Sequence, residues 1–567
     1  MVIQILFMKH FLIAISLLIS SFIFSQETTG VLKGKILDYK NTPIISASVV
    51  LYQKSTGLKY VGISQKDGFF TFNQLQPASD YEIEISSIGF QNYNKDGIQI
   101  QLGKILILNF KLISLSQQLN EVVVNGSSNL NKSGNEKRLK IDLVTSLPTL
   151  NRSIQDATRL LPEANLNSFG GANYRFNNLS IDGSATNDVL GFQEPSSGAA
   201  GSSASGTPGG LAGTQPIGFG AISTLSIKTA PFDVTLGNFT GASINVVTKY
   251  GTNKTSGSVY GFLKNKSLTG KYADGIKQPS IAFIDQQAVV SIGGPIIKDK
   301  LFYFFNAEFS DRVEPVQNEP GSITSNISKS VVEQISNRLK TKYNYDPGTY
   351  VSTNLERKST KLFLRFDYNL SENHKLTIRN NFVTGFADNL EWTTNVFNFG
   401  NQGYRHNSIT NTLAFELKSK LSQNLFNKLI ISNSTVNDDR TYNGKIFPHL
   451  EIIDNTANTI FAGTYREASI YGLTLNTTQI TDNVTYIKGK HLVTVGSSTE
   501  INDIEYRFLT AFNGRWQYKT VADFLADRPS RVRGVYNVEN NNFEYNKRTP
   551  SADYSVLLSS VYLQDDF

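Results

Sequence analysis

The sequence predicts a mainly β protein: a small β-sandwich, then an α/β segment, then an open run of about ten antiparallel strands that cross a membrane. Three observations predict it. The composition is polar and aromatic, with 25 Tyr, 36 Phe and 43 Gly against two Met, two Trp and no Cys, at a mean hydropathy of -0.22. After the N-terminus there is no run of about 20 apolar residues, the length a transmembrane helix needs. Beyond Gly257, alternating segments are joined by short turns and long polar stretches in strict turn, the two kinds of connection found in an outer-membrane barrel.

Lys9 and His10 precede the apolar stretch Phe11 to Ile19, and Ser25 stands before Gln26, so residues 1–25 read as an export signal. Residues 26–115 read as the β-sandwich. Ala47-Ser-Val-Val-Leu-Tyr52 and Tyr81-Glu-Ile-Glu-Ile-Ser86 are runs of β-formers, and Asp67-Gly68 turns the chain into Phe69-Phe-Thr-Phe72. The order of these runs resembles the carboxypeptidase regulatory-like domain, which is not a peptidase. All five His residues lie outside it, and none forms the His-Glu-x-x-His pair that could hold zinc. The absence of Cys removes disulfides and thiolate metal sites. A net charge of +7 spread along the chain gives no nucleic-acid footprint, and Lys and Arg in loops near lipid headgroups account for it.

Residues 141–254 carry mixed signals. Ser153 to Leu161 places Ile154, Ala157, Leu160 and Leu161 at helical spacing after a capping Ser and before Pro162. Asn178 to Gly183 reads as a strand and turn. Ser196 to Gly213 reads as a mobile Gly/Ser loop that lacks the Lys-Ser/Thr of a phosphate cradle. The run GGANYRFNNLSIDG, followed by that loop and by TAPFDVTLGNFTGASINVVTKYGTN, resembles the plug of a TonB-dependent outer-membrane transporter of the Oar-like type found in Bacteroidetes and myxobacteria. Asn173, Arg175, Asn177, Asn178, Asp182, Asn187 and Asp188 form a dense polar cluster there. It can face either substrate or barrel wall, and in a water-filled lumen wall contact is the commoner role.

Residues 116–140 join the two domains. Within them Leu119-Asn-Glu-Val-Val-Val-Asn-Gly126 resembles the TonB box of that family, which assigns Glu121, Val122, Val123 and Val124 to strand addition on a periplasmic partner. By residue type the same four residues fit a last strand of the sandwich equally well. The polar Ser127 to Lys140 after them, read as a linker, favours the box.

Residues 255–567 are the ladder. Leu362, Leu364, Phe366 and Tyr368 alternate with Phe363, Arg365, Asp367 and Asn369, so one set meets lipid and the other the lumen. The plan recurs at Leu376, Ile378 and Phe382 against Thr377, Arg379 and Asn381, and at Leu413, Phe415 and Leu417 against Thr412, Glu416 and Lys418. Gly294 to Asp299, Ser371 to His374 and Lys488-Gly489 are the short turns. Ser310 to Ser359, Asn437 to Asn476 and Asn502 to Pro550 are the long polar segments. About ten strands are too few to surround a plug, since barrels of about eight fill their lumen with side chains and only about 22 leave room for one. The sequence therefore predicts a C-terminally truncated, open half-barrel with its first and last strands unpaired.

The resemblance implies a cell-outer-membrane transporter and not an enzyme, with no cofactor and no metal. It implies the TonB-ExbB-ExbD complex as energising partner, outer-membrane lipid around the barrel, an unidentified extracellular substrate and no nucleic acid. Two alternatives stay open: a SusC-like glycan importer partnered by a surface lipoprotein, and an adhesion or secretion-linked protein that uses the barrel as an anchor. No His, Cys or aromatic cluster in the sequence marks the substrate.

Overall fold

The computed structural model describes residues 29–115, 128–131, 134–140, 152–158, 160–165, 168–188, 190, 207–231, 233–277, 281–454, 458–489, 491–535 and 550–566. The export-signal reading of residues 1–25 lies outside them. The sandwich packs two sheets. One is built around Gly30–Leu37, flanked by Phe69–Leu75 and Lys104–Ile107, and the other runs Leu58–Ile63, Ser48–Gln53, Ala78–Ser86, Tyr93–Ile100. Alternation sends Val49, Leu51, Ile83 and Ile85 from one sheet to meet Leu32, Ile36 and Phe70 from the other. Tyr81 is fully buried because its hydroxyl has a partner, donating to the Gln76 carbonyl at 2.8 Å.

Residues 128–131 and 134–140, linker-like in composition, form two paired strands. Ser128–Asn131 adds antiparallel to Lys104–Ile107 of the sandwich, and Gly134–Lys140 adds antiparallel to Ile222–Pro231 of the α/β unit. Main-chain bonds made these strands without needing an apolar face, which is why composition missed them. The α/β sheet continues from Ile222–Pro231 through Ser243–Thr248 and Asn178–Ile181 to Ser184–Ala185. Its helix is shorter than its spacing suggested. Regular helix covers Ile154–Thr158 alone, after which Leu160 and Leu161 donate to carbonyls three residues back as the chain tightens before Pro162. The predicted mobile loop also ends in packed structure. Residues 191–206 lie outside the described set, but Gly210–Ala212 is a buried single turn with Leu211 and Ala212 inside.

The ladder forms one antiparallel sheet of ten strands: Ser256–Asn265, Ile284–Ile297, Leu301–Pro315, Asn354–Asn369, His374–Asn389, Tyr404–Lys420, Leu425–Tyr442, Tyr471–Lys488, His491–Phe508 and Ala552–Asp566. Among the described residues its first and last strands do not pair with each other, so the sheet stays open, as expected. The α/β unit lies in its concavity. It reaches from Tyr260 and Phe262 on the first strand, which sit under Arg152, to Gln564 on the last, whose side-chain oxygen accepts from the Val234 amide at 3.0 Å. A unit of about 100 residues, about 34 Å across on the usual size scaling, touches strands at both edges of a ten-strand sheet only if the sheet curls around it. At about 4.8 Å per strand a flat sheet would be too wide.

The faces follow the predicted alternation. Arg365 and Asp367 are buried inward, while Leu364 is 37% and Phe415 41% exposed on the outer face. The strands are longer than the apolar pattern alone indicates. Leu301–Pro315 and Tyr404–Lys420 run past the hydrocarbon band, so the long polar segments begin later and are far from structureless. They build a cap at the long-loop end: a sheet ordered Val396–Asn398, Thr459–Ala462, His449–Ile453, Arg515–Tyr518, Arg531–Arg533, with the helices Lys329–Tyr343 and Val521–Leu525. Phe397, Phe399, Ile452, Ile460, Tyr518 and Phe524 form its core.

At the short-turn end the sandwich docks against the rim. Val31 and Ile105 pack on Phe426, Ile487 and Leu492. Lys420 donates to the Val61 carbonyl at 2.6 Å, Gln65 to Asn424 at 3.1 Å, and the Asn253 amide to the Ser55 carbonyl at 2.7 Å. Gly57, at φ 70°, is required here, because any Cβ would collide with Asp299. The lipid face gives a direct check. Replacing Leu364 by Lys is expected to destabilise the sheet by about 2–4 kcal/mol if the position is near the midplane, read as a shift in urea-induced unfolding in lipid vesicles.

Candidate functional site

The Ile181-Asp182-Gly183-Ser184 turn projects from the α/β unit onto the barrel wall. Asp182 and Gly183 both have positive φ, 46° and 84°, the backbone of a tight hairpin turn that Asp-Gly supplies. The turn presents one carboxylate to two wall arginines. Asp182 Oδ2 accepts from Thr248 Oγ1 at 2.6 Å and from Arg365 Nη1 at 3.3 Å, and Oδ1 accepts from the Thr248 amide at 2.9 Å. Arg379 lies 3.8 Å from the same carboxylate and donates to the Asp182 carbonyl and to Ser184 Oγ, each at 2.9 Å.

Arg365 is held for this task by its own strand. Asp367, two residues on and facing the same way, grips the guanidinium with two bonds of 2.8 and 2.9 Å, leaving Nη1 for Asp182 and Thr248. Asp367 is steadied by Thr377 at 2.8 Å and by Lys375 at 3.6 Å, and Lys375 donates to Gln76 of the sandwich at 2.6 Å. One chain of charge-assisted contacts thus ties sandwich, wall and α/β unit together. Around it lies a cavity of about 610 Å³ walled by all three, with Pro77, Arg138, Thr248, Tyr250, Arg365 and Lys418 among its lining. Burial raises the Tyr250 phenol; Arg365 opposes that rise.

Of the seven polar residues singled out in the sequence, the structure brings Asp182 to the wall arginines. Three others serve their own unit: Asn177 accepts from the Ala242 amide at 3.0 Å, Asn178 donates to the Gly237 carbonyl at 2.8 Å, and Asn187 accepts from the Leu179 amide at 2.7 Å. Asn173 and Arg175 are exposed, the first capping the turn that holds the second at 3.0 Å. Asp188 accepts from the Leu190 amide at 3.0 Å. Glu121, Val122, Val123 and Val124 lie outside the described residues.

Sequence reading placed Arg365, Asp367 and Arg379 on the lumen face without joining them to Asp182, and it did not single out Lys375 or Glu308, the last accepting from the Phe219 amide at 2.9 Å and from Lys361 at 2.7 Å. It also missed an aromatic cluster. Tyr404, Tyr471, Tyr506 and Phe508 face the lumen near the cap, with Arg440 4.9 Å from the Tyr404 ring and 4.1 Å from that of Tyr471. Four strands contribute to it, so it is visible in the chain only once the register of each strand is fixed.

An open antiparallel sheet with a lipid face, a polar lumen and an α/β unit bound inside it defines an outer-membrane β-barrel protein. The chain belongs to the outer membrane beta barrel domain family, whose model matches residues 247–322 and 311–567, and a carboxypeptidase regulatory-like domain matches residues 31–113. It is similar to the TonB-dependent transporter Oar of Myxococcus xanthus, 25% identical over 317 residues, 52% of this chain and 27% of that protein. Its fold is similar to the outer membrane transporter YddB from Escherichia coli, with TM-score 0.50, 12% identity, and 76% of this chain and 54% of that chain covered. The ferric enterobactin receptor (PfeA) of Pseudomonas aeruginosa is similar at TM-score 0.48 and 10% identity, over 77% of this chain and 56% of that one. The chain thus spans about a quarter of the curated relative and about half of the solved ones.

Two outcomes follow. Arg365→Met leaves Asp182 and Asp367 without their shared cation and is expected to cost about 3–5 kcal/mol. Adding Asp367→Asn should recover part of that, as measured by urea midpoint and by tryptic cleavage of the α/β unit. In the cap, burial with help from Arg466 and Arg515 holds the His449 imidazole down to about 3. An unfolded His binds its proton near 6.5, so the cap's stability is complete above that pH and declines as pH falls toward 3. Hydrogen-exchange protection factors at Leu450 to Ile453, taken against the intrinsic rate at each pH, should fall on acidification, and His449→Phe should flatten the response.

Proposed function

We propose that this protein is a TonB-dependent gate, in which a pull from the periplasm on Glu121 to Val124 rearranges the α/β plug and lets a bound substrate cross the outer membrane. The observation that carries the reading is the order in which the chain leaves the box. Ser128–Asn131 pairs with the sandwich, and Gly134–Lys140 is the edge strand of the plug sheet, paired among the described residues only to Ile222–Pro231. Tension at residues 121–124 reaches the four-residue strand first and the plug's edge strand next. An edge strand leaves a sheet by breaking one ladder and no more, so the plug opens without unfolding its core. Arg138, on that strand, already lines the cavity beneath the plug, so withdrawing the strand enlarges an existing space.

The likeness to a protein named as a TonB-dependent transporter supports the same reading, as does the polar, hydrogen-bonded contact between plug and wall. No bond is made or broken by such a gate, and export by the N-terminal signal would deliver it to the outer membrane. Val123→Pro removes a ladder donor from the box without touching the barrel. It should abolish uptake in cells while protein level and surface binding stay at wild-type values; uptake at the wild-type rate would return Glu121 to Val124 to the sandwich.

A further inference from the structure

We propose that the cargo is anionic: a small molecule carrying carboxylate or phosphate groups, whose charged head is taken between Arg152 of the plug and the inward rows of the first four barrel strands. It rests on the transport reading above for the ligand being cargo, but its geometry and its test do not.

The register places Lys264, Asp285, Arg312 and Arg357 side by side in one inward row, with Phe262, Gln287, Ser310 and Ser359 in the row below and Glu308 beside Lys361 in the next. Opposite neighbours in such rows stand about 5 Å apart. With Arg152 they enclose a void of about 100 Å³ on the lumen side of the plug, room for a head group and not for a whole cargo molecule. Five cations line it against two carboxylates. Both carboxylates are already engaged. Glu308 is held by Lys361 and the Phe219 amide, and Asp285 lies 3.9 Å from Lys264 and 3.8 Å from Arg312.

The nitrogens Nε of Arg152 and of Arg312 are buried and have no hydrogen-bond acceptor among the described residues. A buried donor left unmet is costly, and guanidinium groups match the planar oxygens of carboxylate and phosphate. Arg152 is also fixed in place, its guanidinium 3.9 Å from the Phe262 ring centroid. On the far side of the plug the 610 Å³ cavity repeats the imbalance. Lys104, Arg138, Arg365, Arg379 and Lys418 face it with Asp182 and Glu416, and both of these carboxylates are again paired within the protein. An anion released by plug movement therefore passes from one cationic chamber into another.

No cysteine occurs in these 567 residues, so Ser359→Cys introduces one reporter thiol among them. Its rates with the anionic sulfonatoethyl and the cationic trimethylammonioethyl methanethiosulfonates are compared with those of Ile323→Cys, on an exposed loop. The expected anion-to-cation rate ratio at residue 359 is at least about tenfold above that at residue 323, and Arg357→Gln with Lys264→Gln should remove the difference. Citrate and pyrophosphate, tested separately at millimolar concentration, should slow modification of the residue 359 thiol, and whichever protects better assigns carboxylate or phosphate. Neutral maltotriose should not protect. Ser310→Cys, one strand over, repeats the measurement if the first variant fails to assemble. Equal ratios at the two positions, or protection by maltotriose with none by either anion, overturns the proposal. Neither result depends on uptake, so failure here and failure of Val123→Pro are distinguishable.

Discussion

The contact of Asp182 with Arg365, shared with Asp367, is the constraint on which the rest depends. A charge carried into a low-dielectric space costs several kcal/mol unless it is paired and its remaining lone pairs are met. Here every element contributes to meeting them: the plug offers Asp182 and Thr248, the wall Arg365, Asp367, Thr377 and Arg379, and Lys375 carries the chain to the sandwich. Such a network adds less net stability than an apolar contact of the same area. What it supplies is a single seating of the plug, because a shift of one residue in the wall would turn Arg365 and Asp367 together toward lipid and take Arg365 away from Asp182.

The same reasoning explains why much of the plug–wall contact is polar. Phe304 and Phe363 of the wall join the plug core, and Leu190 of the plug packs against Val436, Leu473, Leu475 and Ile504 of the wall. Elsewhere the bonds are of the kind water can replace: Asn381 to the Pro216 carbonyl at 2.8 Å, Gln479 to the Ala185 amide at 2.8 Å, Glu308 to the Phe219 amide. A plug held by a large apolar face would expose that face whenever it moved. One held by hydrogen bonds exchanges protein partners for water at a net cost of about 1 kcal/mol each.

Much of the fold was legible in the chain because a half-buried strand writes its two faces in alternate residues. Leu362 to Asn369 shows this at every position, and Asp182-Gly183 announced its turn by residue type. What stayed hidden depends on register or on backbone pairing. Gly134–Lys140 has the composition of a linker, and only its bonds to Ile222–Pro231 make it a strand. The cap sheet draws its five strands from three separate loops, so no local window contains its pattern. Arg379, Lys361 and Tyr471 each look like one more polar or aromatic residue in an alternating run. They become part of a site only when neighbouring strands are aligned.

Force direction ties these features to one another. The ladder between Gly134–Lys140 and Ile222–Pro231 runs Gly134 opposite Pro231 and Lys140 opposite Thr224. In the gate proposed above, tension from the N-terminal side would load the Gly134 end first, so the bonds would break one after another instead of all together. The Asp182 turn, by contrast, is two strands away across Ser243–Thr248 and is anchored to the wall by several bonds that share load at once. Sequential rupture at the edge needs far less force than simultaneous rupture at the turn. In the gate proposed above, the edge strand would therefore yield while Asp182 stays bound, and the network that fixes the seating of the plug would guide it back when tension ends.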